Sequence, residues 1–110
     1  MLGAVSPHEF ADKRSLALHR EVAQRVLRQP SLLVKARERV EGWARTGNVH
    51  AYYVDAWRKV LDGGVHQVVA VLEDEGETGQ ALRQASPFAF VLRPKERWQI
   101  LRGASRTAAR

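Results

Sequence analysis

Apolar residues recur at spacings of three and four along most of this chain, and proline or glycine cuts each run short. That rhythm puts one face of an α-helix against a core every 3.6 residues, so it restricts the chain to an all-α fold. From Asp12 onward, Leu16, His19, Val22, Ala23, Val26 and Leu27 mark such a face, while Arg14, Glu21, Arg25 and Arg28 fall off it. Ahead of it, Ser6-Pro7-His8-Glu9 combines a serine cap, a proline at the first helical position and a glutamate three residues after the cap, a capping-box signature that opens a short helix or turn. Gln29-Pro30 ends the run, because proline disfavours helical geometry in the residue before it.

Ser31 is placed to cap a second helix with Leu33, Ala36, Val40, Trp43 and Ala44 inward, ending at Thr46-Gly47-Asn48. Asn48 then caps a third, on which Tyr53, Val54, Trp57, Val60 and Leu61 repeat the pattern before Asp62-Gly63-Gly64 stops it. Short connections predict that these three helices lie side by side and antiparallel. Val65 to Leu72 holds four valines, which also suit a strand. No second strand pattern exists to pair with it, and an unpaired strand leaves backbone groups unsatisfied, so it is read as a short helix with strand as the alternative. Glu77 to Gln84 gives another short helix with Ala81 and Leu82 inward, and Pro94 opens a last one, carrying Trp98, Ile100 and Leu101 to Gly103. The expectation is a compact bundle of five or six helices in one domain, residues 1–103, followed by a flexible tail, 104–110.

With 110 residues, 45% of them hydrophobic, the chain has material for one core. A domain of this size buries only about two-thirds of its unfolded surface, so a partner or a homodimer would add useful burial. The absence of cysteine removes disulfides, thiolate metal sites and cysteine nucleophiles, and fits a reducing compartment. Met1 to Glu9 lacks the basic stretch and apolar run of a signal peptide, and no 18-residue apolar run occurs, so a cytoplasmic setting without a membrane span is expected.

The net charge of +6 is unevenly spread. Residues 63–92 carry one Lys/Arg against four Asp/Glu, with Glu73, Asp74, Glu75 and Glu77 forming an acidic cluster, whereas residues 93–110 carry six against one. The basic end is either a solvated helix face or a contact for an anionic partner. The acidic run is either a solvated face or a docking site for a basic partner.

Motifs for chemistry are missing. His8, His19, His50 and His66 form no metal-ligand spacing, Gly63-Gly64 lacks the further glycine and the lysine of a phosphate loop, and there is no serine nucleophile elbow. No cofactor, metal or catalytic residue is therefore expected, and His19, on the apolar stripe, is read as a hydrogen-bonded core or edge histidine. A helix-turn-helix around Gly47 fits poorly. Trp43 would stand where a small residue lets the helices cross, and Tyr52, Tyr53 and Asp55 replace a basic reading face. Sequence-neutral phosphate contact through Arg93, Lys95, Arg97, Arg102, Arg106 and Arg110 stays open, since it needs only clustered cations.

The stretch from Ser86 to Pro94 is mostly apolar and bracketed by prolines. Phe88, Val91 and Leu92 either staple the last helix to the bundle or leave part of the stretch, foremost Phe90, exposed as an anchor. Phe88, Phe90, Arg93, Arg97 and Trp98 are the candidate partner-binding residues.

Four pieces of the sequence, Arg14-Ser15-Leu16-Ala17-Leu18-His19, the helix ending in Trp43, Leu82-Arg83-Gln84-Ala85-Ser86-Pro87-Phe88-Ala89, and Glu96-Arg97-Trp98, together resemble small bacterial helical proteins that look like the antitoxins of two-gene toxin–antitoxin modules. The resemblance covers residues 13 to 102. It implies a protein that binds a toxin enzyme and blocks its active site or substrate entry. The alternative is a DNA- or RNA-binding regulator using the basic C-terminal segment.

Overall fold

Where proline and glycine interrupt the apolar rhythm, the chain changes direction. The computed structural model describes residues 7–108, with side chains for residues 9–103. Six α-helices follow one another: α1 (Pro7–Arg28), α2 (Leu32–Thr46), α3 (Ala51–Asp62), α4 (Val65–Leu72), α5 (Glu77–Gln84) and α6 (Pro94–Ala108), with no strand among the described residues. The all-α bundle expected from periodicity is the fold observed. Val65–Leu72 is helical, with Val68 and Leu72 buried at a spacing of four. The expected short opening helix and the run from Asp12 are one continuous α1; Ser6, its expected cap, lies outside the described residues. α6 continues past Gly103, where the sequence reading ended it, to Ala108.

Two expected caps are not used as such. Ser31 has helical dihedrals and makes no side-chain cap bond, the turn being closed instead by backbone bonds from Leu32, Leu33 and Val34 to residues 29–31. His50, not Asn48, caps α3: its Nδ1 accepts from the Tyr52 N–H at 3.0 Å. Gly47 ends α2 in the left-handed conformation, φ 73°, and donates its N–H to the Trp43 carbonyl at 2.8 Å.

The arrangement departs from three side-by-side helices. α2 and α3 form a hairpin, while α1 packs mainly on α4, α6 and α5, and α3 joins the two groups through α4 and α5. The reason lies in the width of α1's buried stripe. Leu18 is buried along with Leu16, Val22, Ala23 and Val26, so the stripe spans more than one neighbour can cover, while Leu27 is turned to solvent at 41% exposure. Ala44, expected inward on α2, is also exposed.

Trp57 of α3 is fully buried where these groups meet. Its ring lies edge-on to Phe88, centroids 5.8 Å apart, and its indole N–H donates to the Leu82 carbonyl at 3.2 Å, near the C-terminal end of α5. Ion pairs brace the periphery. Arg58 grips Glu41 with two nitrogens, at 2.8 and 2.6 Å, and Arg37 reaches Asp62 at 2.7 Å, both tying α3 to α2. Arg25 of α1 pairs with Glu21 and with Glu96 of α6.

Candidate functional site

The start of α6 is fixed from two directions. Glu96 accepts the Arg93 N–H at 2.9 Å, the reaching-back half of a capping box, and also pairs with Arg25. Arg25, followed by that backbone N–H, holds the Glu96 carboxyl down at about 2. So anchored, α6 presents two neighbouring stripes. Arg97 and Leu101, four residues apart, turn toward a cleft shared with α1. Trp98 and Arg102, also four apart, turn outward. Trp98 is 59% exposed, and the Arg102 guanidinium lies over its ring 5.0 Å from the centroid.

The five expected partner contacts do not share one surface. Phe88 is a correction: at 1% exposure and packed on Trp57 it belongs to the core and offers no surface anchor. Leu92 is buried beside it, so the proline-bracketed stretch staples the bundle. Phe90 is half-buried, with the Lys35 ammonium of α2 over its ring at 5.3 Å. Arg93 is exposed, Arg97 half-buried and Trp98 exposed. Among the expected phosphate contacts, Arg93, just ahead of α6, and Lys95 and Arg102 on it are exposed, while the side chains of Arg106 and Arg110 lie outside the described residues.

The acidic cluster is partly spent on the fold. Asp74 accepts the N–H of Gly76 at 2.9 Å and of Gly79 at 3.0 Å, capping the start of α5, and Glu75 pairs with Arg20 at 3.2 Å. Glu73 and Glu77 are exposed.

The cleft beside α6 was not foreseen. It measures about 380 Å³ and runs between α1, the α5–α6 connection and α6. On its wall, the His19 ring spans two elements: Nδ1 lies 2.7 Å from the Ser15 carbonyl, which only a donor can approach so, and Nε2 lies 2.8 Å from the Ser86 hydroxyl. The imidazole therefore carries its proton on Nδ1 and accepts from Ser86, whose oxygen in turn accepts the Phe88 N–H at 3.2 Å. Burial, with the nearby Arg83 and Arg97 charges adding, lowers the His19 pKa and keeps the ring neutral. Arg83 also lines the cleft and is only 4% exposed. Its Nη1 donates to the carbonyls of Val71, Leu72 and Asp74, and its Nη2 lies 3.3 Å from Asp12. One sequence signal for Arg83 existed: with Gly79 and Leu82 it falls on the inward face of α5.

Among the described residues no group of three or more His, Cys, Asp or Glu side chains could hold a metal ion, and no helix is long and apolar enough to cross a membrane. No family model, curated protein or solved structure matches the chain. The likeness to antitoxins thus rests on the spacing of residues in the sequence alone.

Proposed function

We propose that this chain is a non-enzymatic, cytoplasmic protein-binding module, and in its most specific form an antitoxin that binds and neutralises a cognate toxin enzyme. The observation that carries the reading is the outward pair on α6: a tryptophan left 59% exposed with an arginine stacked on it. An exposed tryptophan ring forgoes the stabilisation that burying it would bring, and tryptophan and arginine are the side chains that dominate binding energy at interfaces. The short α6 linkage through Glu96 and Arg25 supports the same reading, because a contact residue on an anchored helix loses little freedom on binding. The neutralising role is drawn from the resemblance in residues 13 to 102.

A nucleic-acid-binding regulator is the second reading. It is favoured by Arg93, just ahead of α6, and Lys95 and Arg102 on it, all exposed, on a helix whose acidic residue, Glu96, is engaged by Arg25 and a backbone N–H. Salt separates the two. Phosphate contact releases counterions, so the logarithm of affinity falls with that of salt by about 0.9 for each phosphate neutralised on duplex DNA. An apolar interface is far less sensitive. Tagged protein recovered from its native cell and washed at moderate and then high salt is expected to retain one stoichiometric protein. Nucleic acid held at moderate salt and lost at high salt, with no protein retained, would place the regulator first.

A further inference from the structure

We propose that the cleft between α1, the α5–α6 connection and α6 binds a phosphomonoester, the phosphate lying among Arg14, Arg83 and Arg97 and its organic group against the apolar wall. Three guanidiniums, two serine hydroxyls and one imidazole line this cleft, and no carboxylate among the described residues does. Arg14 and Arg97 form no ion pair among the described residues; Arg14 lies 5.7 Å from the centre of the Phe10 ring. A concave site with three cations and no lining acid concentrates positive potential, which attracts anions.

Arg83 points to a ligand independently of that count. Its side chain is 1% exposed, its carboxylate partner Asp12 is 3.3 Å away and partly solvated, and its Nε–H has no hydrogen-bond partner among the described residues. A buried guanidinium without full satisfaction is unfavourable, and because its Nε is out of contact with solvent, an anion in the cleft offsets that charge through space and not by a direct bond. The Ser15 hydroxyl is a further polar group on the same wall, while the Ser86 proton is committed to His19 Nε2. The remaining wall, Leu18, Val22, Leu92 and Leu101, is apolar, and a volume of about 380 Å³ exceeds what phosphate alone fills. Such a site suits a small organic phosphate. A dianionic monoester draws more from clustered cations than a monoanionic diester or carboxylate does.

Phenyl phosphate, inorganic phosphate, dimethyl phosphate and benzoate, titrated into the full chain and followed by amide and imidazole NMR, test this. Phenyl phosphate is expected to bind saturably and most tightly, shifting the His19 ring, Ser86 and Arg97. Arg97→Gln should weaken it roughly tenfold or more, the scale of one lost charged contact, with an unchanged melting curve. Lys95→Gln, outside the cleft, and Trp98→Ala should leave it unchanged, so failure here and failure of the partner-binding reading remain distinct. The proposal is overturned if phenyl phosphate gives no saturable shifts. It is equally overturned if dimethyl phosphate or benzoate binds as tightly, or if Lys95→Gln weakens binding as much as Arg97→Gln.

Discussion

Trp57, Arg83 and His19 each bury a polar group, and each solves the problem that creates in a different way. Trp57 aims its N–H at one carbonyl of α5 and packs everything else on Phe88 and the core. Trp57→Ala is expected to cost about 3–5 kcal/mol in denaturant unfolding; a loss below about 1 kcal/mol would mean the two helix groups do not hinge on it. Arg83 reaches the carbonyls of Val71 and Leu72 at the end of α4, the first of them shared with the Asp74 N–H, and so serves that helix as a cap. Lysine has one nitrogen where arginine has a fork, so Arg83→Lys should still destabilise, whereas full retention of stability would refute the capping role. His19 is neutral and its folded pKa is lowered from 6.5. The unfolded chain therefore binds more protons in the window below 6.5, and stability should fall as pH drops through it toward the folded value. His19→Gln should flatten that part of the melting-temperature profile.

Elements owe their ends to residues whose roles depend on what the chain does next. Asp74 stood within a run of acids that invited a solvated-face reading, yet its carboxylate caps α5 through Gly76 and Gly79. Asp74→Ala should cost about 1 kcal/mol, the usual value of such a cap. Gly79 cannot accept a side chain there, because a Cβ would come within 2.4 Å of the Asp74 carbonyl oxygen, so Gly79→Ala should be more damaging still by thermal unfolding. Glu96 does for α6 what Asp74 does for α5. With its carboxyl held at about 2, its contribution is present above the ordinary carboxylate range and is lost as pH falls toward that value. The helices themselves were legible, since Val22, Val40, Trp57 and Leu82 all sit where their spacing put them. Their pairing was not, because periodicity says which face is buried and nothing about which helix covers it. The same limit hid the cleft: His19 and Ser86 are sixty-seven residues apart and meet only in three dimensions.

As a whole molecule, the chain is longer than it is wide, 46 by 28 by 23 Å, with the α2–α3 hairpin extending from a body organised on α1. Apart from the Arg83 Nε–H, the buried polar side-chain atoms of the described residues have partners inside that body. The outward face of α6 differs. Trp98 and Arg102 answer to each other and to solvent, and the partner-binding reading stands on that pair. Val34, 64% exposed on α2, offers the fitting control, being as open and as apolar yet on another element. The direct measurement is a comparison of tagged wild-type, Trp98→Ala and Val34→Ala proteins in recovery from the native cell at high salt, with thermal melts confirming that all three are folded. A stoichiometric protein retained by wild type and Val34→Ala and lost by Trp98→Ala is the expected result. Equal retention by all three, or no stoichiometric protein on any, would contradict α6 as the binding face.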